Sequence, residues 1–250
     1  MIQIEHLTKQ YGDFTAVNDV SLEARAGEVY GFLGPNGAGK TTTIRILVGL
    51  SLPTTGKVAI DGIDVVESPN EAKAIIGYVP DRPFLYEKLT GREYLHFVTD
   101  LYRKKWIDCA PSAEWLLDYF DLAAWADARI ENYSHGMKQK LVLIGALVHD
   151  PQVLVIDEPM VGLDALAQKQ VRQLLREKAM AGRTVFLTTH TMSVAEAVCD
   201  RIAILSRGRI AAAGTTAELK RAANQPHSPL EDVFLSITYG DSIESADESR

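Results

Sequence analysis

The eight residues Gly34-Pro35-Asn36-Gly37-Ala38-Gly39-Lys40-Thr41 constrain this chain more than any other stretch. They fit the pattern G-x-x-x-x-G-K-[ST], in which glycines let main-chain N–H groups wrap a phosphate. Such a loop works only between a strand and a helix, because the helix N-terminus adds its positive dipole end. Both flanks are present. Glu28-Val29-Tyr30-Gly31-Phe32-Leu33 is a short apolar run of the kind that forms a buried strand, and Lys40–Leu50 reads as a helix. Lys40 offers a point charge to the phosphates, and the Thr41 hydroxyl, followed by Thr42, offers a hard oxygen to Mg²⁺.

A second feature lies 117 residues beyond Lys40, where the apolar strand Val153-Leu154-Val155-Ile156 ends in Asp157 and Glu158. Paired acids at a strand end can cap a turn. Beside a phosphate loop they fit a division of labour, with Asp157 in the shell of a metal and Glu158 polarising an attacking water. Between the two features, Tyr94, Leu95, Phe97, Val98, Leu101 and Tyr102 recur at helical spacing, as do Trp115, Leu116, Tyr119 and Phe120. The spacing predicts a helical lobe over about residues 84–150, inserted into an α/β core. Strands are expected at 2–33, Val58–Ile60, Ile75–Val79, Val185–Thr188 and Ile202–Leu205, and a helix at Ala165–Met180. Strands alternating with helices imply a mainly parallel sheet.

Two further positions stand out. Ser134, with Gly136 close behind, precedes an apolar helical run. It reads either as a plain N-cap or as a second anion site, and a second phosphate site on one chain suggests a nucleotide shared between two chains. His190 follows the strand Val185–Thr188, at the sheet edge where ligands bind in such folds; an ordinary loop histidine is the other reading.

Composition excludes several classes. With 46% hydrophobic and 24% charged residues the chain is globular in character. The net charge of −7 argues against a nucleic-acid backbone as the main ligand. The segment from Pro226 to Arg250 carries six acids and one base, and residues 240–250 are expected to form a disordered acidic tail. The longest stretch free of Asp, Glu, Lys and Arg, Thr184–Ala195, is too short to cross a bilayer. The N-terminus lacks the apolar core of a signal peptide. Cys109 and Cys199 lie far apart, which suits a reducing compartment.

Taken in order, these motifs resemble the ATP-binding cassette of ABC transporters, over about residues 2–222. Gly34–Thr42 resembles Walker A, Val153–Glu158 Walker B with its catalytic glutamate, and Tyr133–Met137 the signature region. Gly162-Leu163-Asp164 resembles the D-loop, His190 the switch histidine, and Tyr11 the aromatic that stacks on adenine, although a strand aromatic is an equal reading. The resemblance implies a P-loop NTPase with a RecA-like core, an N-terminal antiparallel β region and the inserted helical subdomain. Two cassettes, identical or paralogous, would pair head to tail around two ATP molecules. Gly34, Pro35, Asn36, Gly37, Ala38, Gly39, Lys40, Thr41 and Thr42 would hold the phosphates, and Thr41, Asp81 and Asp157 would serve Mg²⁺. Glu158 would activate water, and His190 would contact the γ-phosphate. Ser134, Gly136 and Asp164 would complete the nucleotide site shared with the partner chain.

The chain departs from the family pattern at three places. Asp81 stands where glutamine is usual, after Gly77-Tyr78-Val79-Pro80. The signature reads Tyr-Ser-His-Gly-Met in place of Leu-Ser-Gly-Gly-Gln, and Met160-Val161 precede the D-loop in place of Thr-Ser. These variants resemble the exporter branch, whose cassettes dock on a separate integral membrane permease at the cytoplasmic face. Pro229–Leu235 also resembles the C-terminal helix of that branch, in an extension covering 223–239. Residues from Pro83-Phe84-Leu85-Tyr86-Glu87 onward are where such cassettes receive the permease. A soluble ABC protein acting on ribosomes or nucleic acid fits less well, because the gap before the signature holds no heptads. A kinase or GTPase leaves Ser134–Met137 unexplained.

Overall fold

The computed structural model describes residues 1–247, and side chains through Tyr239. The first part of the chain forms β1 (Ile2–Tyr11), β2 (Phe14–Ala24), β3 (Val29–Leu33), α1 (Lys40–Leu47), β4 (Thr55–Ile60), β5 (Ile63–Asp64), α2 (Pro69–Ala74) and β6 (Ile76–Val79). Three helices follow, α3 (Gly91–Leu101), α4 (Trp106–Tyr119) and α5 (His135–Leu147). The chain returns through β7 (Val153–Asp157), α6 (Ala165–Met180), β8 (Thr184–Thr189), α7 (Met192–Val198), β9 (Arg201–Ser206) and β10 (Arg209–Gly214). It ends with α8 (Thr216–Ala222) and α9 (Leu230–Asp247).

The strands form two sheets. One has the order β2-β1-β4-β5 and is antiparallel throughout. The other has the order β10-β9-β3-β8-β7-β6; it is parallel except for the edge pair β9–β10. Strands β3, β7 and β8 are buried along their whole length, as central strands covered on both faces must be. Phe186 on β8 packs between Tyr30 and Phe32 on β3, with ring centroids 5.9 and 5.4 Å away. These rings belong to a core shared by the antiparallel sheet, α1 and one face of the parallel sheet. A second core joins the opposite face to α3, α4, α5 and α6. The helical lobe is thus fused to the sheet by apolar packing. A third, smaller cluster seats Leu230, Val233 and Phe234 of α9 on α7 and α8.

Several boundaries differ from expectation, two of them at helix ends; among the strands, β4 begins at Thr55, three residues before the expected Val58. α1 ends at Leu47, three residues before the expected Leu50, because Gly49 adopts φ +68° and its N–H turns back to Ile46 O. The C-terminal helix is longer than the expected extension of 223–239. It runs through Asp247 and so takes in most of the segment expected as a disordered tail. A helix anchored by its first two turns adds one hydrogen bond for each further residue it fixes. Residues 248–250, the rest of that tail, lie outside the described residues.

Candidate functional site

The loop from Gly34 to Gly39 follows β3 directly and opens α1. Its glycines are required by space and by conformation. A Cβ on Gly34 would lie 2.5 Å from Leu205 O, and one on Gly39, at φ +110°, would lie 2.4 Å from Ala16 O. No side chain caps α1, so its first N–H groups stay available to an anion. Lys40 is 92% buried, and its ammonium donates to Gly34 O at 2.6 Å and Pro35 O at 3.1 Å. Burial pushes its pKa down, while Glu158 and Asp157 pull it back up. The lysine is thus held by neutral acceptors inside the loop, with its charge facing the acids electrostatically.

Parallel pairing supplies the rest. β7 and β8 are in register such that Asp157 stands opposite Thr188. The Thr188 hydroxyl donates to Asp157 Oδ1 and accepts the N–H of Glu158 at 3.3 Å. One hydroxyl therefore fixes both acids. Asp157 is buried; burial raises its carboxyl pKa, which bonds from Thr188 and Thr41 and the charge of Lys40 oppose. Asp81 is exposed and close enough for its charge to raise Asp157 further. Glu158 takes a left-handed φ of +56°, turning the chain at the strand end. Its Oε1 lies 2.7 Å from His190 Nδ1. A carboxylate only accepts, so the imidazole donates from Nδ1. The Glu158 carboxylate is mostly buried and the His190 ring mostly exposed.

Lys40, Thr41, Asp157, Glu158 and His190 are therefore one cluster, with Asp81 at its rim. Thr188 belongs to it and sequence reasoning missed it. The available signal was its place just before His190 on a strand whose neighbour ends in acids. The remaining predicted residues attach elsewhere. Ser134 caps α5, accepting from Met137 N at 3.3 Å, and Gly136 lies against Gly162. Asp164 caps α6, accepting from Ala167 N at 2.8 Å. Tyr11 is half exposed, and the Lys9 ammonium sits 4.9 Å from its ring centroid.

The oxygens of Thr41, Asp157 and Asp81 are the hard donors that Mg²⁺ takes, and their carboxylates alone make no all-protein cage. Among the described residues no group of three or more His, Cys, Asp or Glu could hold a metal ion. That fits a cation bound through one or two carboxylates together with phosphate oxygens.

A separate groove of about 600 Å³ opens where the sheet core meets the helical lobe. Leu50, Ala74, Ile76, Tyr78, Leu101 and Tyr102 line it, with Lys73 and Arg103 among the polar residues. Nearby in sequence, Phe84 and Tyr86 are exposed and stack edge to face at 5.9 Å. Among the described residues no helix is long and apolar enough to cross a membrane.

Residues 17–161 match the family model described as ABC transporter. YbhF of Escherichia coli (strain K12), described as a probable multidrug ABC transporter ATP-binding protein, is 35% identical over 242 residues. That is 96% of this chain and 42% of the relative. Nod factor export ATP-binding protein I of Neorhizobium galegae is 40% identical over 213 residues, 85% of this chain and 61% of the relative. The chain thus spans about half the length of these curated relatives. A solved ATP-binding subunit of an ABC transporter superposes with a TM-score of 0.91 at 30% identity, covering 95% of this chain and 99% of that one. A dimeric ATP-binding cassette in a post-hydrolysis state with ADP and Pi superposes with a TM-score of 0.77 at 27% identity, covering 86% and 98%.

Proposed function

The chain belongs to the ABC transporter family as an ATP-binding cassette, an ATPase domain, and from that premise we propose that it drives a separate membrane permease through ATP-dependent pairing with a second cassette. The observation that carries this reading is the Lys40–Asp157–Thr188–Glu158–His190 cluster. It holds a phosphate loop, a cation-binding acid and a base at the C-terminal ends of parallel strands. ATP binds with its phosphates on the Gly34–Thr42 backbone and on Lys40, which leaves its two carbonyl acceptors for the phosphate. Thr41, Asp157 and Asp81 would hold Mg²⁺, which would neutralise charge developing on the phosphates. Glu158 takes a proton from the attacking water, and His190 orients the Glu158 carboxylate and reaches the γ-phosphate. Thr188 keeps the two acids in register.

Pairing follows from what the site lacks in one chain. Ser134 and Gly136 stand at the start of a helix of 13 residues, and among the described residues the Ser134 hydroxyl is bonded only within that helix. They meet the nucleotide held by a second cassette, of the same or a paralogous sequence, and Asp164 lies beside that interface. A dimeric cassette among the structural relatives supports this arrangement. The permease docks on the segment from Pro83 to Glu87, where Phe84 and Tyr86 are exposed, and the chain then sits at the cytoplasmic face of the membrane. Export is the direction supported by the relatives' names.

The test is Glu158→Gln, tagged and recovered from detergent-solubilised membranes with ATP and Mg²⁺. A stable dimer carrying a polytopic membrane protein at near-equal yield is the expected result. Recovery with ribosomal proteins or nucleic acid and without a membrane partner would overturn the reading.

A further inference from the structure

His135 interrupts the Ser134–Met137 segment with a side chain that neither caps the helix nor belongs to the Lys40 cluster. Its imidazole lies on the backbone of Gly162, in the turn that follows the catalytic acids. A Cβ on Gly162 would fall 2.6 Å from both Cδ2 and Nε2 of His135. A Cβ on Gly136 would in turn lie 3.1 Å from Gly162 O. The start of α5 and this turn therefore interlock through one ring and two glycines.

The turn is tied together as a unit. Val161 N–H donates to Glu158 O at 3.3 Å and Leu163 N–H to Met160 O at 3.4 Å. Gln168 Nε2 donates to Met160 O at 3.4 Å and Leu163 O at 3.1 Å, and Asp164 anchors the far end by capping α6. The near end is Glu158, held by His190. The start of α5 thus touches, through His135, a segment of seven residues that begins with Glu158.

We propose that His135 is a positioning residue that couples the two ATP sites of the paired cassettes. The proposal rests on the shared-site reading above. In that arrangement, Ser134 and Gly136 contact the nucleotide of the partner, while Glu158 acts on the chain's own nucleotide. The imidazole on Gly162 is the mechanical link between the two. With a glycine or alanine at position 135, Gly162 would be uncovered and the turn free to settle independently of α5. The packing is steric, so a flat ring is what matters, and the ring must rest on a residue without a side chain.

The ATP dependence of steady-state hydrolysis by the full chain tests this. The wild-type curve should be sigmoid. His135→Ala should bring the Hill coefficient toward 1 and raise the ATP midpoint about fivefold, at the lower end of usual coupling between sites. Binding of a fluorescent ATP analogue by the monomer and the melting temperature should not change. His135→Phe should keep the cooperativity. Gly162→Ala, which sets a Cβ 2.6 Å from the imidazole and also strains the turn at φ +77°, should lower the cooperativity at least as much as His135→Ala does. A hyperbolic wild-type curve, or a sigmoid curve retained in His135→Ala or in Gly162→Ala, would each overturn the proposal. Glu158→Gln distinguishes the causes. If it fails to dimerise with ATP and Mg²⁺, the shared site itself is wrong and the coupling falls with it; if it dimerises while His135→Ala stays cooperative, only the coupling is wrong.

Discussion

Two regions of this molecule carry the same kinds of polar residue and use them in opposite ways. At the ends of β3, β7 and β8, Lys40, Asp157, Thr188, Glu158 and His190 are bonded to one another or to the loop they serve. At the starts of α5 and α6, Ser134 and Asp164 are exposed and bonded only to their own helices. The first region is organised before any ligand arrives, because burial of Lys40, Asp157, Thr188 and most of Glu158 makes an unpaired polar group costly there. The second is exposed and remains free to accept a partner molecule. Under the proposed pairing, a site split in this way would be completed by association.

The largest expected effect breaks the first region alone. Glu158→Gln keeps the size and the hydrogen-bond reach toward His190 but removes the proposed base, and turnover should fall about 10³-fold. A phosphate-release assay reads this, and turnover near the wild-type rate would remove Glu158 from the role of base.

A third place, where the C-terminal end of α5 meets the start of β6, is sensitive to pH. His149, which directly precedes Asp150 after α5, stacks on Tyr102 with centroids 3.5 Å apart. His149 Nε2 and the Tyr102 hydroxyl both donate to Ile76 O on β6, at 3.2 and 3.1 Å. Burial lowers the His149 pKa from 6.5 to about 4. The unfolded chain therefore binds a proton between those values that the folded chain refuses. Above about pH 6.5 this group adds no penalty, and stability drops as pH falls from there toward 4, by up to about 3 kcal/mol. His149→Gln keeps a donor for Ile76 and cannot titrate, so denaturant midpoints should become flatter over that window. An unchanged slope would show that His149 is not the group responsible.

Ser134→Asp sharpens the comparison from the other side. Aspartate is as good an N-cap as serine, so the fold should be unaffected within about 0.5 kcal/mol. Its charge would face the partner's phosphates, and ATP-driven dimerisation should weaken about a hundredfold. Equal dimerisation, measured by light scattering in the Glu158→Gln background, would place Ser134 outside the shared site. The smallest effect is expected for Lys40→Ala. Loss of one charged donor should cost about 2 kcal/mol, or about thirtyfold in ATP affinity by calorimetry.

The order of elements was readable because each signal is local. The phosphate loop lies between an apolar run and a helix, β7 ends in its two acids, and Ser134 is a cap followed by an apolar run. Even the stop of α1 was marked by Gly49, although the expected helix ran past it. The long C-terminal helix was hidden because the acids after Tyr239 favour solvent in isolation. What extends the helix is its attachment through Leu230, Val233 and Phe234 to α7 and α8.

The sequence by itself determined which groups are the candidates to bind phosphate, a divalent cation and water, since Lys40, Thr41, Asp157 and Glu158 are picked out by type and spacing. Only the tertiary structure decided how they are held. Thr188 earns its place through the register of β7 on β8, and His190 reaches Glu158 from the end of a different strand. His135 meets Gly162 across 27 positions of chain. Pairings of that kind depend on strand order and packing between distant segments, and side-chain spacing along one segment carries no information about them.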